Sequence, residues 1–425
     1  MTLADVVLCL MLVALAAYTV LGGADFGAGF WQLWGGERAR SLREHAHHSM
    51  GPVWETNHVW LIFVLVVCWT AFPTAFASIT STLAVPLFIA AIGIILRGTT
   101  YALRSGVESL REQRRIEVAF AISSILTPFA LGAVVGGIAS GRVPVGNARG
   151  DLWTSWLNWT SAFVGVLAVA VAAYLAAVYL AADAVRVGRP DLVAAFRLRA
   201  LGTAVFAGAL AFAGLFVVRH DARSLWDGLT SDGGLAAVLV SAAAGCATLA
   251  LVYRNKFGPA RVSAALAVAA IIAGWALAQR PDFLPGLTIQ EAAASQSTLV
   301  AVLVAIGIAG LVLIPSLLWL FSLFLHGRFD PHAAGEIVVI SSTTRAAAFR
   351  PQLGAFAAAS LVVGGTLTFF FDAAWAHVVG ITSLLLFVGT GFVALASLVA
   401  AGDDDSREQR LPAAGGDRRD NGVRG

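Results

Sequence analysis

The chain has 425 residues, 58% of them hydrophobic and only 12% Asp, Glu, Lys or Arg, against roughly 25% charged in an ordinary soluble domain. That balance excludes a soluble enzyme, and a net charge of +3 gives no support to a nucleic-acid partner. The three cysteines, Cys9, Cys68 and Cys246, stand singly without CxxC spacing, so neither a disulfide framework nor a zinc site is expected and they read as packing residues.

A helix crosses a hydrocarbon core of about 30 Å with roughly 20 apolar residues. Eleven stretches reach that length: 3–34, 52–76, 80–103, 116–139, 153–182, 200–218, 234–253, 260–278, 298–325, 351–371 and 374–400. The expected fold is therefore all-α, a polytopic helical membrane protein. The first stretch is too long, and through Asp25 too charged, for a cleaved signal peptide. Residues 401–425, "GDDDSREQRLPAAGGDRRDNGVRG" from Gly402 on, are charged and lack apolar periodicity, so disorder is expected there.

The basic residues set an orientation. Most of the 28 Lys and Arg fall in the odd-numbered loops and the tail, whereas the even-numbered loops hold only Arg142, Arg149, Arg219, Arg223 and Arg280. By the positive-inside rule the odd loops and the carboxyl terminus face the cytoplasm and the amino terminus faces outward.

Ionisable groups inside a membrane helix cost about 2.5 to 3.5 kcal/mol on insertion scales and are functional candidates by default. Away from helix ends the chain has four: Asp25, Glu55, His58 and Arg97. Asp25 stands six and nine residues before Trp31 and Trp34, an aromatic belt, and so roughly 9 to 13 Å into the membrane. Glu55 and His58 open the second helix from the same side, and Arg97 lies about 10 Å before Arg104 in the third. Three consecutive helices thus aim polar groups at one level. At 100° per residue Gly22 and Gly29 fall near Asp25, while Gly23 and Gly27 form a GxxxG pair on the opposite face, open to a close helix neighbour. An ion pair between Asp25 and Arg97 is one reading of the acid. In "GPVWETNHVW" the wheel places Trp54, Glu55, Asn57 and His58 on one arc and turns Trp60 away.

Metal readings fail on ligand supply. Glu55 and His58 have E-x-x-H spacing, but a di-iron bundle needs a second such pair and two further glutamates. Axial haem ligation wants His or Met within the bundle, and only His58 is clearly embedded, with His377 near the outer end of the last helix. The "HAHH" run, His45 to His48, among Arg38, Arg40 and Arg43 reads as a solvated basic loop. The alternative from another class is a secondary transporter, in which a glycine-broken helix with intramembrane charge builds a midplane site. Against it, the polar groups lie toward one interface and the second half of the chain has no matching pair.

At these residues the chain resembles the second subunit of the cytochrome bd quinol oxidase family, including its cyanide-insensitive branch. The resemblance rests on the G-x-D-x-G-x-G run at Gly23 to Gly29, "GPVWETNHVWL" from Gly51, "AFP" at Ala71 to Pro73 and "LRGTTYALR" from Leu96. It is dense from Leu21 to Arg104 and architectural from there to about Arg328. It implies a nine-helix subunit in the bacterial cell membrane, two four-helix bundles plus one helix. Its partner is a homologous haem-bearing subunit I that carries haem b, haem d and the quinol site. That complex oxidises quinol and reduces dioxygen to water with protons taken from the cytoplasm. Residues 1–330 would form this domain, 331–400 an extra helix pair and 401–425 the tail.

In family members the acids of the first two helices are associated with proton uptake, which maps onto Asp25 and Glu55, with Asn57, His58 and Arg97 beside them. Trp60, with Trp54 alongside, matches the region where an oily oxygen path opens to lipid, and some members hold a structural quinone in this subunit. Most members read W-D-G-N-[QE] where this chain has Trp54, Glu55, Thr56, Asn57 and His58; the histidine, with an ordinary pKa near 6.5, suits a proton relay. The two extra helices either cover a surface that other members pair with a small accessory subunit or fill lipid-facing volume.

Overall fold

The computed structural model describes residues 2–33, 41, 45, 54–103, 110–325, 351–371 and most of 373–390. The chain divides into two units, Met1–Leu318 and Trp319–Gly425.

Unit 1 is built on long apolar helices: α1 (Leu3–Leu33), α2 (Trp54–Ala71), α4 (Ala84–Leu103), α5 (Leu110–Ala139), α6 (Trp159–Arg186), α7 (Pro190–Asp221), α9 (Asp232–Tyr253), α10 (Phe257–Gln279) and α12 (Gln296–Leu325). Between them lie the short helices α3 (Pro73–Thr82), α8 (Arg223–Leu229) and α11 (Ile289–Ala292). All the long helices except α2 are apolar over at least 18 residues, enough to cross a membrane, and α2 is apolar over Asn57–Ala71.

Three boundaries depart from expectation, each for a local reason. The second stretch does not run to residue 76: Pro73 holds Phe72 out of the helical region, at φ −133° and ψ 59°, so α2 stops and the ten-residue α3 follows. The fifth helix begins at Trp159, where the Asn158 side chain accepts the Ser161 N–H and supplies an N-cap; residues 153–157 belong to the preceding loop. The sixth starts ten residues early, with Pro190 at its first turn. At 32 residues it is about 48 Å long, so Arg197 and Arg199 extend past a 30 Å hydrocarbon core without entering it. A two-stranded antiparallel hairpin, β1 (Asp282–Leu284) with β2 (Leu287–Thr288), adds an element the all-α reading lacks.

Helices α1, α2, α4 and α5 pack as one group and α6, α7, α9 and α10 as another, joined by α1 and α5 against α6. Helix α1 belongs to two buried clusters. Its second half (Val20, Ala24, Ala28) packs with Leu175, Leu180, Phe196 and Ala260 of the second group. Its first half (Ala4, Val7, Met11) packs with Val67, Phe72, Leu284 and Leu299. Asp25 lies in the second half, between Ala24 and Ala28. At the arginine-poor end Arg142 makes a two-pronged ion pair with Asp221, which also accepts from the backbone N–H and hydroxyl of Thr160, and Arg280 pairs with Asp5.

Unit 2 holds α13 (Pro351–Phe370) and a shorter apolar helix over Val378–Phe387, which meet where Gly364 lies against Leu384. Residues 391–400, the tail 401–425 and His377 lie outside the described residues.

Candidate functional site: a buried ion pair beside an apolar cavity

The site starts from one stripe of α1. Tyr18, Gly22, Asp25 and Gly29 recur at i, i+4, i+7 and i+11, a spacing that holds one face of a helix. The two glycines leave gaps on either side of the acid. Into the gap at Gly29 comes Arg97 from α4: a Cβ there would collide with the Ser124 hydroxyl and lie 3.0 Å from Arg97 Nη1. Into the gap at Gly22 leans the Tyr18 ring, whose Cε2 lies 3.0 Å from the same hypothetical atom.

Asp25 and Arg97 form a fully enclosed ion pair, each side chain 2% exposed. Arg97 Nη2 donates to Asp25 Oδ1 at 2.7 Å and to the Asp25 carbonyl at 3.0 Å, and Nη1 donates to the Ser124 hydroxyl. Ser124 in turn donates to the Phe120 carbonyl. The guanidinium is sandwiched over the rings of Phe26 at 4.9 Å and Phe120 at 4.3 Å, a cation–π arrangement strengthened by desolvation. Asp25 Oδ2, Arg97 Nε and the Tyr18 hydroxyl are buried around the pair without a hydrogen-bond partner among the described residues.

Helix α2 closes the side. Asn57, 3% exposed, donates to the Leu21 carbonyl at 3.3 Å and ties α2 to α1 one turn before Asp25. The His58 ring sits edge-on to Tyr18 at 6.1 Å and to Phe26 at 6.2 Å. Trp60 is half-buried. The backbones of Trp54 and Glu55 are helical, and their side chains lie outside the described residues. The other face of α1 carries Gly23 and Gly27 against α6: a Cβ on Gly27 would overlap the Ala172 carbonyl, and one on Gly23 would meet Leu175 Cδ1 at 3.3 Å. Trp31 locks the same contact by donating to the Ala173 carbonyl at 2.9 Å. The structure thus brings Asp25, Arg97, Asn57, His58, Gly22 and Gly29 together and places Gly23 and Gly27 on a packing face.

Two further residues escaped the sequence reading. Ser124 carries no signal beyond being a hydroxyl inside an apolar run; Tyr18 was readable, as the one phenol seven residues from the acid on the same stripe.

Beyond Tyr18 opens a cavity of about 340 Å³ between the two helix groups, walled by α1, α2, α5, α6 and α10. Its lining is almost wholly apolar; Tyr18 and Trp275 are its buried donors without partners among the described residues.

The basic loop after α1 needs a correction. His45 is 8% exposed, with Nε2 3.1 Å from the Leu180 carbonyl and its ring 5.8 Å from Phe196. It is a docked side chain where solvation was expected, because α6 presents the Leu180 carbonyl and Phe196 a flat apolar wall. Burial pushes its pKa below the ordinary value of 6.5. His47 and His48 lie outside the described residues. The cysteines divide: Cys68 is buried, whereas Cys9 and Cys246 face outward.

Comparison with known proteins gives the context. The family model for cytochrome bd terminal oxidase subunit II matches residues 3–324. A putative cytochrome bd menaquinol oxidase subunit II of Bacillus subtilis is 24% identical over 331 residues, 73% of this chain and 92% of the relative. The cytochrome bd ubiquinol oxidase subunit 2 of the same organism is 27% identical over 133 residues, a match spanning 31% of this chain and only 39% of that relative. Among solved structures, a chain of the bd oxidase from Geobacillus thermodenitrificans superposes with a TM-score of 0.62 at 26% identity, covering 77% of this chain and 99% of that one. With most of unit 1 inside the matched region and the transporter reading left without support, the chain belongs to the cytochrome bd terminal oxidase subunit II family.

Proposed function

We propose that this chain is the haem-free membrane subunit of a quinol:oxygen oxidoreductase of the bd type, paired with a homologous haem-bearing subunit I, and that it supplies a proton uptake route from the cytoplasm. The single observation that carries the proton reading is the Asp25 carboxylate. It is held by Arg97 through one oxygen while its second oxygen is buried without a partner among the described residues, so the group is fixed in place and still has a face for a proton. Arg97 positions it, since a guanidinium does not deprotonate. Glu55, the second residue of α2 at its arginine-rich end, is the entry acid. Asn57 fixes the spacing of α1 and α2, and His58, against Tyr18 and Phe26, serves as a side station.

The residues present suit a haem poorly. The His58 ring is wedged between two aromatic rings, and the cavity lining offers a single thioether, Met11, and no histidine among the described residues; in this reading haem b and haem d belong to subunit I. The apolar cavity, with Trp275 in its wall, has the chemistry to hold the tail of a structural quinone. Trp60, half-buried on α2 near Leu61 of the cavity wall, stands at the oxygen or quinone approach, with Trp54 one and a half turns earlier. The basic residues place the amino terminus outside and the carboxyl terminus in the cytoplasm.

The test is quinol-driven oxygen consumption by the purified complex carrying Asp25→Asn or Glu55→Gln. Slowed turnover with unchanged haem spectra is expected; full turnover in both variants would remove the proton route.

A further inference from the structure

Tyr18 has no part in the route as proposed, yet it is 5% exposed and its hydroxyl, like Asp25 Oδ2 and Arg97 Nε, has no hydrogen-bond partner among the described residues. A buried hydroxyl without a partner costs about 1 to 3 kcal/mol. A phenylalanine would fill the same space without that penalty, so the hydroxyl calls for a partner.

Geometry narrows what the partner is. Tyr18 and Asp25 are seven residues apart on one face, about 10 Å along the axis. Side chains on a helix ordinarily lean toward its amino-terminal end. The Tyr18 ring lies against Gly22, its Cζ 3.5 Å from where a Cβ would stand, and Gly22 is on the same stripe as Asp25 and one turn before it. Gly22 is what makes the approach possible. The hydroxyl lies within electrostatic reach of both Asp25 and Arg97, and no direct hydrogen bond joins it to either. A small partner with both donor and acceptor capacity would satisfy these atoms together. Buried waters typically make two to four hydrogen bonds to otherwise unsatisfied polar groups, and the three atoms here offer an acceptor (Oδ2), a donor (Nε) and a group that is both.

We propose that Tyr18 is a positioning residue: with Asp25 Oδ2 it holds a bound water that forms the proton-exchanging face of Asp25, and its ring walls that water off from the apolar cavity. This rests on the proton reading above and extends it by naming what Asp25 exchanges with. The water gives one proton to the carboxylate oxygen and regains one from the next water on the arginine-rich side, so one proton moves and the phenol stays neutral throughout. The Tyr18 ring thus stands between the polar site and the cavity together with Phe26, which lines the cavity and also lies over the Arg97 guanidinium.

The experiment uses the complete complex with its haem-bearing partner and compares wild type, Tyr18→Phe, Tyr18→Leu and Asp25→Asn. Infrared difference spectra on redox cycling locate the Asp25 carboxyl band as the one missing in Asp25→Asn. Tyr18→Phe keeps the wall and removes the hydroxyl. It is expected to shift that band and to lower turnover about five- to tenfold, the rate equivalent of one hydrogen bond, with haem spectra and thermal midpoint unchanged. Tyr18→Leu, which opens the partition, is expected to lower turnover further. An unshifted band in Tyr18→Phe overturns the inference, as does loss of copurifying quinone with the band in place, which would assign the phenol to the cavity. A shifted band with full turnover in Asp25→Asn would keep the water site and remove the proton route, so the two readings fail separately.

Discussion

Replacing Asp25 with leucine is the sharpest test of how the site is held together. The change removes the countercharge of a guanidinium that is 2% exposed and cannot shed its proton. It leaves Arg97 three of its supports: the Asp25 carbonyl at 3.0 Å, the Ser124 hydroxyl and the rings of Phe26 and Phe120. Removing one partner of a buried pair costs about 3 to 5 kcal/mol, and the surviving supports place this case at the lower end, about 3 kcal/mol or two orders of magnitude in the folding equilibrium. Asp25→Asn keeps an acceptor at the Oδ1 position and is expected to cost about half as much. The double variant Asp25→Leu with Arg97→Leu removes both charges, and replacing a buried pair by apolar groups is often neutral; it is expected to recover most of the loss. The assay is the unfolding midpoint of the detergent-solubilised complex across these three variants and Arg97→Leu alone. If the double variant is as damaged as the two single changes added together, Arg97 and Asp25 are not energetically coupled and the description of the pair is wrong.

Gly27→Ala drives a methyl into the Ala172 carbonyl and is expected to destabilise by about 1 to 3 kcal/mol, as overpacking does, with Gly23→Ala milder; equal midpoints for the two would contradict the close α1–α6 contact. Arg142→Met removes a half-exposed ion pair to Asp221 and is expected to lower the midpoint by only about 1 kcal/mol, with the difference from wild type shrinking at high salt. His45 carries a pH dependence. Burial depresses its folded pKa, so the folded state binds fewer protons than the unfolded one. Its contribution is therefore whole above about pH 6.5 and lost as pH falls through the folded value. Thermal midpoints between about pH 7 and about pH 5 should fall in wild type and fall less in His45→Gln, and parallel slopes would refute the docking.

What could be read beforehand follows from which forces act locally along the chain. Membrane insertion penalises every charge separately, so the rarity of Asp25 and Arg97 in apolar runs marked them before any contact was known, and helical periodicity sorted Gly22 and Gly29 from Gly23 and Gly27. Pro73 was equally legible and was passed over: the restriction it places on Phe72 splits one expected helix in two. His45 was not legible, because its burial depends on α6 and α7, more than a hundred residues later, presenting the Leu180 carbonyl and the Phe196 ring side by side. Nor was Ser124, whose role exists only because Gly29 of another helix leaves room for an arginine to reach it.

The protein contains its own comparison for what the central ion pair is for. Arg142 and Asp221 meet fork to fork, with both guanidinium nitrogens on both carboxylate oxygens at 3.0 and 2.6 Å, and Thr160 takes a further lone pair. Such geometry gains the most from an ion pair as a clamp, and it is used where α5, α6 and α7 must be tied together. Arg97 has the same fork and uses it differently, one prong on Asp25 and the other on Ser124. A site shaped only for stability would have turned both prongs onto the acid. Splitting them gives up part of the pair's strength and leaves Asp25 with one oxygen unclaimed among the described residues, the arrangement on which the proposed proton role of Asp25 rests.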